Sequence, residues 1–266
     1  MCSAPPADRG HPAVEREARA WPVAPFRGET GGVCPVGGEK AGPRGGGQVT
    51  RQQEVKVLKG LRGENEKWAA ATRELLRQHN VTMINLIGGP GCGKTALLCR
   101  LAEHLGGSAR VAVLEGDVET TYDARRIAET GIPVRQLLTG GACHLEARLV
   151  HAGLQELPLA DLDFVFVENV GNLVCPAEFD IGERAKVAVV SVTEGEDKPE
   201  KYPLVFRLAG AVILTKADLL PHVPFDAPSL ERHLRKVNST APLLITSALT
   251  GQGVRETADC FGGWRT

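Results

Sequence analysis

The sequence has 266 residues, of which 42% are hydrophobic and 24% charged, and its formal net charge is −1 at pH 7. That length accommodates one sizeable α/β domain with its own core plus a tail, and the near-neutral charge excludes the basic field of a nucleic-acid binder. No apolar run approaches the roughly 20 residues of a membrane span and the first residues lack a secretory apolar core, so a cytoplasmic protein with no membrane or nucleic-acid partner is expected.

Residues 1–50 carry Pro5, Pro6, Pro12, Pro22, Pro25, Pro35 and Pro43 together with the run Gly45-Gly46-Gly47. No apolar period is sustained there, and the segment reads as a disordered tail. Its only histidine is His11, so it is a poor metal store. The seven cysteines (Cys2, Cys34, Cys92, Cys99, Cys143, Cys175 and Cys260) form no Cys-x-x-Cys pair. An odd count in a chain with no export signal argues against a disulfide framework.

Residues 51–80 read as an N-terminal helical extension. Over 63–80, Trp68, Thr72, Leu75, Leu76 and His79 recur at helical spacing, and Asn80 is a stop signal. This face should pack against the outside of the main domain.

A main domain is expected over 81–257, leaving a C-terminal tail at 258–266. Apolar runs at 81–87, 111–114, 164–167, 187–192, 211–214 and 243–245 predict six buried strands. The first is followed by a helix at 95–105 with Leu97, Leu98, Leu101 and Leu105 as its stripe. Such strands separated by helices predict an α/β fold with a mostly parallel sheet and helices on both faces. Ligands of such folds sit at the carboxyl ends of the strands, where the motifs fall.

Gly88-Gly89-Pro90-Gly91-Cys92-Gly93-Lys94-Thr95 matches G-x-x-x-x-G-K-[ST] between a strand and a helix, the context a P-loop requires. Its backbone N–H groups form an anion nest at a helix N-terminus. Lys94 is placed for the β- and γ-phosphates and the Thr95 hydroxyl for Mg²⁺. Cys92 either tunes redox sensitivity or is incidental to the loop. Glu168-Asn169-Val170-Gly171 occupies the place of the Asp-x-x-Gly of many P-loop proteins. Glu168 is the expected Mg²⁺-shell acid and the Gly171 N–H lies near the γ-phosphate. Asp117 and Asp123 are further candidates for the Mg²⁺ shell or for orienting water, with helix capping the alternative for Asp123.

Thr215-Lys216-Ala217-Asp218 is similar to the Asn-Lys-x-Asp of GTP-binding proteins. A carboxylate at Asp218 accepts from guanine N1 and N2, a pair of donors adenine lacks. Lys216 would pack on the ring, and Thr215 stands where Asn is usual. Ser247-Ala248 resembles the second guanine loop. GTP is therefore preferred over ATP.

Cys143 and His144 are adjacent in a Gly-rich turn, and Cys175 follows the Glu168 strand. Two thiolates and an imidazole suit Zn²⁺ or Ni²⁺, although buried structural cysteines remain an alternative on spacing alone. His151, seven residues after His144, is a candidate fourth contact or an ordinary helix histidine.

The stretch Gly140-Gly141-Ala142-Cys143-His144-Leu145-Glu146-Ala147 resembles the Gly-x-Cys-His-Leu-Asp-Ala segment of the hydrogenase nickel-incorporation GTPases, the HypB family. Glu168 through Asp180 (ENVGNLVCPAEFD) is similar to that family's signature, as are Val192 through Pro199 and Lys201-Tyr202-Pro203. The resemblance covers about residues 55–255. It implies a P-loop NTPase fold of the SIMIBI type and a dimer switched by nucleotide. It also implies slow GTP hydrolysis coupled to nickel delivery into [NiFe]-hydrogenase precursors. It further implies that Cys143, His144 and Cys175 are metal ligands at a homodimer interface. The partners implied are a nickel accessory protein and the hydrogenase large-subunit precursor. The N-terminal Cys-x-x-Cys-Gly-Cys motif and histidine tract of some members are absent here, so no tight N-terminal nickel site is expected. Related urease-maturation GTPases carry Cys-Pro-His instead of Cys-His-Leu. A urease-type or other maturation GTPase, or a non-catalytic metal-storage module, are the alternative readings.

Overall fold

A computed structural model describes residues 25–26, 51–106, 108–117 and 121–265. The expected disordered tail, including Cys2 and Cys34, lies outside the described residues apart from Pro25–Phe26.

Eight strands form one sheet in which every pair is parallel: β1 (Pro25–Phe26), β2 (Thr82–Gly88), β3 (Val111–Asp117), β4 (Val134–Leu138), β5 (Phe164–Glu168), β6 (Ala185–Ser191), β7 (Ala209–Thr215) and β8 (Leu243–Ile245). Their order is β1-β4-β3-β5-β2-β6-β7-β8. The central β2 lies between β5 and β6, so the chain reverses its winding direction there, and the crevice at the carboxyl ends of these strands is the natural ligand site. Six of the strands match the expected apolar runs to within a few residues. The strands β1 and β4 are additions: β1 is only two residues long, in the stretch expected to be a tail, and Arg135 and Gln136 broke the apolar run that would have marked β4.

Side chains alternate across each strand, and the two faces are covered accordingly. Ile84 and Leu86 of β2 pack with Leu97, Leu98 and Leu101 of α2 (Lys94–Leu105) and with Val254, Ala258 and Phe261 of α9 (Val254–Gly262). On the opposite face Met83, Val165 and Val167 meet Leu76 of α1 (Arg51–His79) and Val150 and Leu154 of α4 (Ala147–Gln155). Toward the β8 edge, Ala188, Val190, Val212 and Leu214 pack with Val205 and Phe206 of α7 (Pro203–Leu208) and with Leu230 and Leu234 of α8 (Ala227–Val237).

Two expectations change. His79 is exposed, while Ala69, Thr72 and Leu76 form the buried stripe of α1; Asn80, at φ 53°, ends the helix in the left-handed conformation. At the other end, α9 runs across the boundary drawn at 257. Phe261 is fully buried and its ring lies 5.7 Å from that of Phe166 in β5. Burying a phenylalanine contributes about 1.5–3 kcal/mol, so these residues belong to the domain core and are not a tail.

Candidate functional site

The loop between β2 and α2 holds Gly89, Pro90, Gly91, Cys92 and Gly93, with Gly88 ending the strand and Lys94 opening the helix. Gly93 caps α2 at φ 96°, where a side chain would be strained. The Lys94 ammonium is buried and donates to the carbonyls of Gly88 and Gly89, both at 3.2 Å. It thus closes the loop on itself. Cys92 is buried in the core cluster and burial pushes its thiol up, which fits a packing residue.

Thr215, at the end of β7, reaches this loop from the base side. Its hydroxyl donates to the Cys92 carbonyl at 2.5 Å and lies 3.2 Å from that of Val190. The residue that departs from the usual Asn therefore anchors the phosphate loop. Next to it, Lys216 adopts a left-handed φ of 58°. The Ser247 hydroxyl donates to Asp218 Oδ1 at 2.5 Å, and the Ala248 carbonyl accepts from Arg100 Nε of α2 at 2.6 Å. Lys216, Asp218, Ser247 and Ala248 thus come together beside the helix that carries Lys94.

Glu168 ends β5. Thr95 Oγ1 donates to its Oε1 at 2.8 Å, whereas Oε2 is buried without a hydrogen-bond partner among the described residues. Burial, against the opposing pull of Lys94 and Thr95, raises Glu168 to about 7. Asp117 ends β3 and Asp123 lies in the first turn of α3 (Tyr122–Ala128), with Arg126 3.8 Å away. Asp123 also destabilises the charge on Glu168. A carboxylate oxygen with no protein donor, a hydroxyl beside it and further acids in the same field fit a hard divalent cation such as Mg²⁺. Gly171 lies against the phosphate loop: a Cβ there would come 3.0 Å from Pro90 Cα.

Glu115 was not singled out in the sequence, because it directly follows the apolar run Val111–Leu114 and reads as a strand-end acid, whereas β3 continues to Asp117. In register it faces Glu168 on one side and Gln136 on the other. Gln136 Nε2 donates to its Oε2 at 3.0 Å. Burial first, then the charges of Glu168 and Asp117, raise it to about 8. The unfolded chain ionises near 4.5, so between there and about 8 the folded state binds more protons and stability falls as pH rises. Glu115→Gln keeps the acceptor and removes the charge. Without nucleotide or divalent cation, it should melt higher than the parent at pH 8–9, by up to about 5 kcal/mol. Near pH 4 the two should converge; parallel profiles across this range would refute the assignment.

Cys143, His144 and Cys175 converge although 31 residues separate the last two. Their ligand atoms lie within 4.8 Å of one another, and Cys143 Sγ is 3.7 Å from His144 Nδ1. Cys175 opens the short helix α5 (Cys175–Glu178). The His144 ring stacks on Phe179 at 3.9 Å between centroids, and its Nε2 is buried without a partner among the described residues. Burial pushes the imidazole down, toward the neutral form that ligates metals. The neighbouring Cys175 thiol, then burial, pushes Cys143 up, and a bound cation would reverse that. Two sulfurs and an imidazole fit Zn²⁺ or Ni²⁺ with at least one position open. Cys143 and Val174 are exposed, so the cluster faces outward.

His151 does not join this group. Its Nδ1 lies 3.2 Å from Thr72 Oγ1 and its ring 5.2 Å from Trp68, so it joins α4 to α1. The seven-residue spacing shared a helix face only if 144 were helical, and α4 begins at Ala147.

Residues 82–245 match the family model described as the CobW/HypB/UreG nucleotide-binding domain. A hydrogenase maturation factor HypB from Azotobacter chroococcum mcd 1 is 43% identical over 208 residues, covering 78% of this chain and 68% of that protein. The HypB of Escherichia coli (strain K12) is 40% identical over 253 residues, covering 95% and 87%. Among solved structures, the HypB of Archaeoglobus fulgidus superposes with a TM-score of 0.71 at 35% identity, covering 77% of this chain and all (100%) of that one. The HypB of Helicobacter pylori, crystallised in complex with nickel, superposes at 0.72 and 32% identity, covering 76% and 98%.

Proposed function

This chain belongs to the CobW/HypB/UreG family and within it to the HypB hydrogenase maturation factors, and from that membership we propose that it is a GTP-hydrolysing nickel metallochaperone acting in the cytoplasm. The observation that carries the reading is the Cys143–His144–Cys175 cluster, whose Cys175 follows by seven residues the Glu168 that bonds P-loop Thr95.

In this reading the loop N–H groups and Lys94 bind the β- and γ-phosphates, Lys94 leaving the Gly88 and Gly89 carbonyls for phosphate oxygens. Asp218 accepts from the guanine edge, and Ser247 holds it in place. Mg²⁺ would be held by Thr95, Glu168 and Asp117, where it supplies charge neutralisation on the phosphates. Asp123 orients water toward the γ-phosphorus. The Gly171 N–H reports the γ-phosphate, and the shift reaches Cys175 four residues on.

Nickel is the cargo at Cys143, His144 and Cys175, with Zn²⁺ the competing occupant. Three donors, of which Cys143 is exposed, leave a position that a second copy of the chain can close, which favours a homodimer. Recipients are a nickel accessory protein and the precursor of a hydrogenase large subunit.

The test is nickel titration with GDP and with a non-hydrolysable GTP analogue, alongside phosphate release from GTP. Nickel affinity should differ at least about fivefold between the two nucleotide states. Equal affinities, or no GTP turnover, would sink the proposal.

A further inference from the structure

Both halves of the metal cluster are tied to a single buried residue beside the nucleotide acid. Asn169 directly follows Glu168 and is 1% exposed. Its Oδ1 accepts from the backbone N–H of Leu145, next to His144, at 3.3 Å, and from that of Val170 at 3.0 Å. Its Nδ2 donates to Asn85 Oδ1 of β2 at 3.2 Å. From there a second arm runs on. Asn85 Nδ2 donates to Glu183 Oε1 at 3.3 Å, and Glu183 forms an ion pair with Lys186 at 2.8 Å. Lys186 Nζ donates to the carbonyls of Phe179 at 2.6 Å and Pro176 at 3.3 Å. Pro176 follows Cys175, and Phe179 is the ring on which His144 stacks.

We infer that Asn169 and the buried chain Asn85–Glu183–Lys186 form the positioning network that sets Cys143 and His144 against Cys175 according to the nucleotide state. The inference rests on the nickel and GTP reading above and assigns its coupling to named side chains. The physical reason is that these groups are buried. The side chains of Glu183 and Lys186 are only 4% and 12% exposed and Asn85 is 0% exposed, so water cannot replace a lost partner. A displacement of the Glu168–Asn169 backbone is therefore passed on along both arms. One arm moves the backbone beside His144, and the other moves the carbonyls that frame Cys175. Asn169, Asn85, Glu183 and Lys186 are not among the residues assigned above to the nucleotide or the metal. A merely structural role would leave the response to nucleotide intact.

The experiment compares nickel affinity with GDP and with a non-hydrolysable GTP analogue in the full chain and in Asn169→Ala, Lys186→Met and Lys186→Arg. The parent should show a ratio of about 5–150 between states. In Asn169→Ala and Lys186→Met the ratio should fall to within about twofold of one. Lys186→Met should bind both nucleotides as the parent does. Lys186→Arg, which can still donate to the two carbonyls, should restore most of the ratio. A parent ratio of one would overturn the underlying reading and this inference with it. A parent ratio retained in Lys186→Met would overturn the network alone. Should Asn169→Ala fail to fold, Lys186→Met and its arginine counterpart decide the matter.

Discussion

Lys94→Ala should lose GTP hydrolysis by about 100- to 1000-fold, the usual effect of deleting one preorganised group from a transition-state charge site, and should bind GTP far more weakly. The Lys94 ammonium is the cation buried in the phosphate loop, 3.2 Å from each of two loop carbonyls. Those carbonyls are neutral, so the lysine gains more from phosphate oxygens than it gives up. Alanine removes the charge and also unfastens the loop from itself. Nickel binding with no nucleotide present should remain within about twofold of the parent, because none of the ligands Cys143, His144 and Cys175 touches Lys94. The assignment fails if phosphate release from GTP persists at the parent rate, or if nickel binding disappears together with nucleotide binding.

Cys175→Ala should produce the opposite pattern. Losing an outer-shell partner costs a metal site about 10- to 100-fold in affinity, and a direct ligand should cost at least the upper figure. GTP affinity should be unchanged, because Cys175 lies four residues beyond Gly171 and is not among the residues assigned to the nucleotide. The pH dependence should change as well. Thiols must lose their protons to bind metal, so affinity in the parent weakens as pH falls. With one thiol gone, fewer protons are released per nickel bound, and the slope of affinity against pH should be shallower. Equilibrium titration at three pH values would measure both effects. A variant that binds nickel as the parent does would remove Cys175 from the site.

Much of this was legible in the sequence because strand, loop and helix signals were adjacent. Gly88 through Thr95 needs only its own neighbours to be read. Glu168 was legible because it ends an apolar run at the same sheet edge. Cys143, His144 and Cys175 were not readable from spacing: only the sheet order, which sets β4 and β5 on either side of β3, brings the loops that follow them together. Resemblance supplied what local pattern could not. The residues that were missed share one physical trait. Gln136 and Glu115 are polar groups buried against each other, so Gln136 hid a strand and Glu115 looked like a strand-end acid. His79 sat at the right period but at the last turn of α1, beyond the surface that the helix covers. Asn85, Glu183 and Lys186 are scattered in sequence and meet only because β2 and β6 are paired.

The burial of Phe261 also bears on how a shortened version of this protein would behave. The last helix and the helix that carries Lys94 share one apolar seam. A chain cut at residue 257 would lack no group expected to touch nucleotide or metal. It would nevertheless leave Leu98 and Leu101 without their cover and let the phosphate-binding helix drift. At the bench, such a fragment would look like a nucleotide-binding mutant while its defect was one of packing.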